Sequence, residues 1–270
     1  MNASIATRAD GIYRSIPFAD YLAWDAVSNS ALSRFSRVPA AARVAMEDSA
    51  DLALGRAVHC AVLESYRFES EYRMRRFNGS TKAGKAESSD AIMDGVKLMT
   101  PSEYESTVGM AEAIRSHPAA AALLAEGEPE VSLLWTDPET GLRCKARVDW
   151  LAPGFAVDLK TTKDSSPASF ARSIANYRYH VQQAHYRAGL DALGIRNDAF
   201  FFIAVEKAPP YPVGCYCITE AAEQVGFRLR RRGLSAWKSC VESGAWPAWR
   251  SPTIETLPLP GWAMIEEVDE

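Results

Sequence analysis

The sequence lacks the long apolar runs and the cysteine motifs that mark membrane, secreted or zinc-binding proteins. No apolar stretch approaches the roughly 20 residues that a membrane-spanning helix needs, and the N-terminus, MNASIATRADGIYRSIPF, has no apolar block typical of a signal peptide. The five cysteines are odd in number and form no C-x-x-C pair, which favours buried free thiols over a zinc or iron–sulfur site. We therefore expect a cytoplasmic protein without a membrane segment.

An excess of positive charge is also missing. The 270 residues include 30 Lys and Arg against 34 Asp and Glu, a formal net charge of −4. This balance excludes a globally basic nucleic-acid binder but permits a local basic groove. The length fits one large domain or two small ones. We predict a single domain with a mainly helical part (1–127), a part with the sheet and its helices (128–250) and an extended tail (251–270).

The order of predicted elements indicates a mixed α/β fold. The first part contains several helices and a polar stretch, RMRRFNGSTKAGKAESSD, which is typical of a mobile loop. After Gly127 the apolar period changes to two, and three strands follow that are joined by turns at DPETG and APG. Two helices, the apolar strand AFFFIAVEK, the strand VGCYCI and a long helix complete the order. The pattern predicts a mixed sheet in the second half of the chain, flanked by helices.

A charged pair on a core strand is the first candidate for a functional site. In FAVDLKTT, Asp158 and Lys160 share one face of the strand, and Asp149 ends the preceding strand of the same hairpin. Converging carboxylates repel each other unless a cation lies between them, and such a cluster suits Mg²⁺ or Mn²⁺. Lys160 would then act on a metal-bound water or on phosphate charge. The alternative is an ion pair without a function.

Two helices carry further polar candidates. Gln183, Tyr186 and Arg187 stand at i, i+3 and i+4, so they share one helix face. The alternative for this face is ordinary solvation. His59 lies in the middle of the apolar helix GRAVHCAV, where a histidine is either a satisfied core group or a ligand.

The ordered set of these motifs resembles the PD-(D/E)XK nuclease superfamily. The motifs are G-x-x-x-H (55–59), R-x-D-W (147–150), D-x-K-T-T (158–162) and Q-x-x-Y (183–186). Over nearly the whole chain, the sequence is most similar to the RecB-like branch and, within it, to the nuclease domain of RecE-type exonucleases (exodeoxyribonuclease VIII). The resemblance implies the restriction-endonuclease-like core, a mixed central sheet between helices.

The resemblance also implies roles for the candidate residues. Asp149 and Asp158 would hold the metal, His59 would complete or support that site, and Lys160 would position the nucleophilic water. The implied cofactor is Mg²⁺, with Mn²⁺ as a substitute.

Two residues of the later helix would complete the implied site. Gln183 and Tyr186 would line it and hold the scissile strand. We expect no iron–sulfur cluster, because Val38 stands where some relatives have a cysteine.

The implied substrate is DNA, bound mainly through its phosphates. The sequence contains no base-reading motif, so we expect sequence-independent binding. The alternative for the basic residues near the polar stretch is a solvated loop. The candidate DNA-binding residues are Arg75, Arg76, Lys82, Lys85, Arg147 and Arg187.

The function that the resemblance implies is a Mg²⁺-dependent exodeoxyribonuclease of phage-type recombination. It would degrade linear double-stranded DNA from free ends, 5′ to 3′, beside a single-strand annealing recombinase. One alternative is a catalytically silent DNA-binding or assembly module of the same fold, and another is a nuclease with single-strand or structure-specific preference.

The resemblance to RecE-type exonucleases also implies a ring that encloses the duplex, and we expect a closed homo-oligomer, a tetramer. In such a ring, confinement would replace affinity for a protein of net charge −4. Trp246, Trp249 and Trp262 of the tail offer apolar contacts for a subunit interface. The alternative is a tail that packs on its own domain.

Overall fold

A computed structural model describes residues 8–44, 49–248, 254 and 256–260 of the chain. None of the helices in these ranges is both long and apolar enough to cross a bilayer. In chain order the elements are β1 (Gly11–Tyr13), α1 (Phe18–Ala23), β2 (Val27–Ser28), α2 (Asn29–Arg37), a 3₁₀ helix (Pro39–Arg43), α3 (Ala50–Leu63), α4 (Ser65–Glu71), β3 (Tyr72–Met74), α5 (Lys82–Met93), β4 (Lys97–Met99), α6 (Pro101–Ser116), α7 (Pro118–Leu123), β5 (Glu128–Thr136), β6 (Arg143–Ala152), β7 (Gly154–Thr162), α8 (Pro167–Asn176), α9 (Tyr179–Ala192), β8 (Asn197–Glu206), β9 (Val213–Tyr216) and α10 (Glu220–Ser243).

Seven strands of the described ranges form one mixed sheet. Its order is β1-β5-β6-β7-β8-β9, and β2 pairs in parallel with β6. The strands β5, β6 and β7 are successive antiparallel neighbours, β8 runs parallel to β7, and β9 is antiparallel to β8. The predicted mixed sheet between helices is confirmed. The placement of the whole sheet in the second half of the chain was wrong, because β1 and β2 join it from the helical part.

Helices cover both faces of this sheet. On one face α9 packs among α2, α8 and α10 over a core that contains Trp135 and Phe202. On the other face α3 and α6 pack over Val157 and Leu159 of β7. The apolar run of β8 supplies side chains to both cores, as expected for a strand covered on both faces.

Half of the segment predicted as a mobile loop is helical, and its first two residues belong to β3. The helix α5 begins after Thr81, whose hydroxyl accepts a hydrogen bond from the Gly84 amide at 3.0 Å. Gly84 packs so closely that an added Cβ would lie 2.0 Å from the Asn78 carbonyl oxygen. The loop prediction was therefore wrong from Lys82 onward, since a cap and a close glycine contact outweigh the polar composition.

Trp246, the first of the three tryptophans named for a subunit interface, packs on its own domain, whereas Ile254, Leu257 and Leu259 further along are exposed. The Trp246 ring lies 5.4 Å from the ring of Trp237 and 6.0 Å from that of Phe35. Trp246 is thus occupied within its own chain, which is the alternative stated above for the tail. Trp249 and Trp262 lie outside the described residues.

Candidate metal centre between β6 and β7

The strands β6 and β7 pair only near the turn that joins them. Trp150 pairs with Val157, and the two following rungs complete the recorded pairing. On the side of the Trp150–Val157 pair that faces away from the turn, side chains bond the backbone of β7 instead of β6. Asp149 Oδ2 accepts a hydrogen bond from the Leu159 amide at 2.8 Å, and His59 Nε2 lies 2.9 Å from the Leu159 carbonyl oxygen. We call this point, where β6 and β7 separate after Trp150 and Val157, the fork.

A second carboxylate reaches the fork from β5. Val131 of β5 pairs with Val148 of β6, so Glu130 lies opposite Asp149. Glu130 has a φ of 52°, a value that residues other than glycine rarely adopt and that is enriched at functional sites. The alternation of side chains breaks here, because Val148 packs in the core under α9 whereas Trp150 packs in the core under α3. Both carboxylates therefore lie where the sheet is distorted.

His59, Glu130 and Asp149 form a compact group that we call the metal triad. His59 Nδ1 lies 3.8 Å from Glu130 Oε1 and 3.6 Å from Asp149 Oδ2. One ligand atom from each residue lies within 4.8 Å of the other two. Because His59 Nε2 is turned to the Leu159 carbonyl, its Nδ1 faces the carboxylates, an arrangement typical of metal-binding histidines. The triad could hold a divalent cation.

The electrostatics of the triad favour positive charge. Burial lowers the pKa of His59, but Asp149 and Glu130 outweigh burial and raise it to about 9. Burial, with a smaller contribution from Asp158, raises the pKa of Asp149 to about 7 although His59 opposes the shift. Burial also acts to raise the pKa of Glu130, yet His59 and Arg147 hold it below its usual range. A bound cation would compensate the negative charge of the two carboxylates, as the proton on His59 does in its absence.

Asp158 lies deeper than the triad and is held by two donors. Its side chain is 1% exposed, compared with 12% for Asp149. Lys160 Nζ forms an ion pair with its Oδ2, and Gln182 Nε2 lies 2.5 Å from its Oδ1. Burial lowers the pKa of Lys160, but Asp158 and Asp149 raise it above its ordinary value. Lys160 therefore keeps its charge between two carboxylates.

Two tyrosines line the inner side of this pair. The Tyr179 ring lies 4.8 Å from Lys160 Nζ, a cation–π distance. Tyr186 is beside Gln182, and burial raises the pKa of its phenol well above the usual value. The phenol of Tyr186 is therefore a neutral group at physiological pH, suited to hydrogen bonding and not to accepting a proton.

The predicted glutamine is displaced by one residue. Gln183 is buried and its amide bonds Glu223, whereas Gln182 contacts Asp158. The assignment of Gln183 to the site is corrected to Gln182. Spacing alone does not separate the two glutamines, because Gln182 stands four and Gln183 three residues before Tyr186, and either spacing shares a helix face.

Glu130 was missed by the sequence analysis, and the hairpin register could have found it. The DPETG turn sets β5 against β6, and Thr136 pairs with Arg143. Counting back along both strands from that pair puts Glu130 opposite Asp149. The positive φ of Glu130 has no comparable signal in the sequence.

Two arginines predicted to bind DNA are engaged inside the protein. Arg147 bonds Glu130 and donates to the Ile16 carbonyl at 2.7 Å. Arg187 pairs with Glu223 at 2.8 Å and donates to the Asn197 carbonyl at 3.1 Å. In this structure Arg147 positions Glu130 and Arg187 joins α9 to α10 and β8, and contact of either with DNA stays a prediction.

The remaining predicted DNA contacts lie around the start of α5. Arg75 Nη1 donates to Ser88 Oγ at 3.3 Å, and the Arg76 side chain is 73% exposed. Lys82 and Lys85 are exposed on the first turns of α5. These four residues do not belong to the fork, and their contact with DNA stays a prediction.

Comparison with known proteins supports the superfamily. The family model described as "PDDEXK-like domain of unknown function (DUF3799)" matches residues 28–256. A crystal structure of a Eubacterium rectale protein with a provisional exonuclease name aligns with a TM-score of 0.60 and 13% identity, covering 93% of this chain and 96% of that one. No curated protein matches the sequence. The predicted PD-(D/E)XK superfamily is confirmed, while the RecE-type assignment within it stays a prediction.

Proposed function

Because the chain belongs to the PDDEXK-like family DUF3799, we propose that it is a metal-dependent deoxyribonuclease. The observation that carries the proposal is the metal triad beside the Asp158–Lys160 pair. One nitrogen and two carboxylate oxygens form a donor set that fits Mg²⁺ or Mn²⁺. A bound cation of this kind supplies an acidified water and neutralises phosphate charge.

The protein's own groups would hold and orient the reacting parts. His59 Nδ1, Glu130 and Asp149 would hold the cation, and the bond from Arg147 keeps Glu130 in place. Asp158 would share that role, as the motif implies, once the Lys160 ammonium is drawn towards a phosphate. The ammonium would exchange one anionic partner for another, so its charge would stay paired.

Lys160 would be the group that meets the reacting phosphate. Its ammonium lies over the Tyr179 ring and forms an ion pair with Asp158. A charge fixed in this way stabilises negative charge that develops in the transition state without reorganisation. Gln182 would maintain Asp158 in the orientation that positions Lys160.

At the finer level, we propose a Mg²⁺-dependent exonuclease that degrades linear duplex DNA from its ends, 5′ to 3′, in phage-type recombination beside an annealing recombinase. The RecE-like motif order supports this choice, as does the provisional exonuclease name of the Eubacterium rectale protein. The net charge of −4 gives weak attraction to DNA, which supports a closed tetrameric ring that confines the duplex.

Digestion of end-labelled linear duplex beside covalently closed circles tests the proposal. We expect linear DNA to disappear with Mg²⁺ or Mn²⁺, to survive in EDTA, and to survive with the Asp149→Asn variant. Closed circles should persist throughout. Cutting of closed circles would contradict the exonuclease, and cutting in EDTA would contradict metal dependence. Light scattering that finds a monomer at micromolar concentration would contradict the ring.

A further inference from the structure

The turn between α8 and α9 lies against the candidate site, and only one of its residues has a part in the chemistry above. Tyr177, Arg178 and Tyr179 form this turn, which we call the α8–α9 turn. The rings of Tyr177 and Tyr179 stack with centroids 5.6 Å apart and an interplanar angle of 24°. Tyr179 in turn lies 4.8 Å from Lys160 Nζ. A continuous contact therefore leads from Lys160 to the protein surface.

Tyr177 presents an aromatic surface to solvent. Its side chain is 67% exposed, whereas Tyr179 is supported from beneath by the rings of Phe170 and Phe202. An exposed ring with a rigid support offers a stacking platform for a nucleic-acid base, because every base has a π-face. The two contact distances place the Tyr177 ring at most about 10 Å from Lys160 Nζ, within roughly three nucleotide rises of a single strand.

Arg178 is an arginine without an anionic partner. No carboxylate of the described ranges pairs with it, its Nε is buried without a hydrogen-bond partner, and its environment shifts the guanidinium pKa downward through burial alone. Elsewhere in the site each charged group has a partner of opposite charge, as Arg147 has Glu130. A half-buried guanidinium that lacks an anion is suited to a phosphate, which matches its planar donors.

The backbone of the α8–α9 turn is fixed in a conformation that a side chain rarely adopts. Arg178 has a φ of 60°, and its carbonyl accepts the Gln182 amide at 3.1 Å while the Tyr177 amide donates to Ser173 at 2.9 Å. Strain of this kind persists where the surroundings impose it, and it is concentrated at binding sites. The left-handed residue turns Tyr177 and Tyr179 to the same side.

Helix α10 supports the same turn from behind. Gly226 of α10 contacts the backbone after Tyr179 so closely that an added Cβ would lie 2.1 Å from the His180 carbonyl oxygen. The turn is thus held before any ligand arrives, which lowers the entropy lost on binding.

We propose that the α8–α9 turn binds one nucleotide of the DNA strand beside the cleaved bond. Tyr177 stacks on the base and Arg178 pairs with the phosphate, so that the strand is led past Lys160. The inference rests on the proposed function, because only a DNA strand at the fork would reach the turn. Stacking on Tyr177 requires a base that is not paired, so the turn would engage the strand where the end of the duplex has opened.

Fluorescence of 2-aminopurine placed in the three terminal nucleotides of a DNA strand tests the stacking. Titrations are made with Ca²⁺ in place of Mg²⁺, so that binding is separated from cleavage. We expect Tyr177→Ala to weaken binding about tenfold and to remove the fluorescence quenching. Tyr177→Trp should retain both effects, whereas Tyr177→Leu should behave as the alanine variant, since it keeps apolar area but no π-face. Tyr66→Ala, which changes another exposed tyrosine, should bind as the wild type.

The salt dependence of binding tests the phosphate contact. Arg178→Gly removes the guanidinium and leaves a residue that accepts a positive φ without strain. We expect the slope of log affinity against log salt to fall by about 0.7, the value for one phosphate of a single strand. Arg196→Gly, at an exposed arginine that already pairs with Asp198, should leave the slope unchanged. Thermal melting of each variant verifies the fold.

The outcomes separate this inference from the proposed function. If the wild type cleaves DNA but Tyr177→Ala and Arg178→Gly bind with wild-type affinity and slope, the α8–α9 turn does not bind the strand. If the wild type neither binds nor cleaves DNA, both the inference and the proposed function are wrong. An equal loss in Tyr177→Ala and Tyr177→Trp would contradict stacking, because the larger ring should preserve it.

Discussion

The two edges of β7 differ in how they are bonded. Towards β8 the strand pairs without interruption from Phe155 to Thr162 after a single irregularity at Gly154. Towards β6 the recorded pairing ends at Val157, and the polar side chains of Asp149 and His59 bond the backbone at Leu159. One strand therefore has a closed edge, where backbone bonds hold the fold, and an open edge at the fork.

The difference shows how a buried sheet accommodates charges. At the closed edge, Ile203 and Val205 of β8 are fully buried among apolar neighbours. At the open edge, separation of the strands leaves room for two carboxylates and a histidine, each with a bonded partner. Burying such groups without partners would be costly. Stability and chemistry are thus assigned to opposite edges, and substitutions at each edge should have different consequences.

The largest expected effect comes from the carboxylates of the open edge. Asp149→Asn and Asp158→Asn should each reduce cleavage on the order of a thousandfold, because a neutral amide no longer attracts the cation. In Asp149→Asn the amide oxygen still accepts the Leu159 amide bond, so the melting temperature of that variant should change little. End-labelled linear DNA measures the rate. Asp198→Asn, at the exposed start of β8, is the control, and a comparable loss there would show that charge at the fork is not the cause.

A substitution at the closed edge should reverse this pattern. Ile203→Ala removes a fully buried side chain and should lower the free energy of unfolding by about 2–5 kcal/mol. The metal concentration for half-maximal cleavage should be unchanged at temperatures where the variant is folded. Denaturant unfolding and a Mg²⁺ titration of activity measure the two quantities. A shifted metal requirement would mean that the two edges are coupled.

Glu130 sharpens the comparison within a single strand. Glu130→Gln should raise the Mg²⁺ concentration for half-maximal cleavage about 10- to 100-fold, since one charged ligand is lost. Glu128→Gln lies two residues earlier and changes an exposed carboxylate that pairs with Arg14, so its metal requirement should match the wild type. Equal behaviour of the two variants would remove Glu130 from the metal triad.

Adjacent glutamines give a further matched pair. Gln182→Ala should slow cleavage about tenfold because Asp158 loses a donor. Gln183→Ala should leave the rate near that of the wild type and instead lower stability, as its partner is Glu223 of α10. Single-turnover rates at saturating Mg²⁺ distinguish the variants. A larger loss of rate in Gln183→Ala would restore the original assignment.

The smallest effect is a pH dependence of the metal-free protein. The pKa of His59 is raised to about 9 and that of Asp149 to about 7, so the folded state binds more protons than the unfolded chain around neutral pH. His59 therefore contributes stability that is complete below its unfolded pKa and is lost as pH rises through 9. The free energy of unfolding in EDTA should fall from pH 6 to pH 9, by at most about 1.4 kcal/mol per pH unit for each proton.

Urea unfolding with and without Mn²⁺ measures this dependence. Asp149→Asn should flatten it, because it removes one of the two carboxylates that raise the His59 pKa. The buried His185, whose pKa burial lowers to about 3, opposes this fall only near pH 6, because its contribution is lost as pH falls below the unfolded pKa of about 6.5. Above about pH 7 its effect on the slope is negligible. Stability that rises from pH 6 to pH 9 would contradict the charge arrangement.

Much of the fold was predictable because it depends on local patterns. Alternating apolar residues predicted β5, β6 and β7, and an apolar run predicted β8. The helix α5 was missed because its stability comes from the Thr81 cap and the contact of Gly84 with Asn78. Composition alone does not report such contacts.

The candidate site was predictable where residues lie on regular elements. Asp149, Asp158 and Lys160 follow from strand alternation and the hairpin. Gln182 was missed by one residue, because the phase of α9 is set by the left-handed Arg178 at its start. Glu130 required the register of β5 on β6 as well as a local distortion of the strand.

Calorimetric titration with Mn²⁺ tests most directly the central claim that the fork is a divalent cation site. We predict saturable binding to the wild type, little or no binding to Asp149→Asn, and wild-type binding to Glu128→Gln, all at a pH of about 8 where metal binding competes less with protons. Unchanged Mn²⁺ binding in Asp149→Asn, with the variant folded, would contradict the claim.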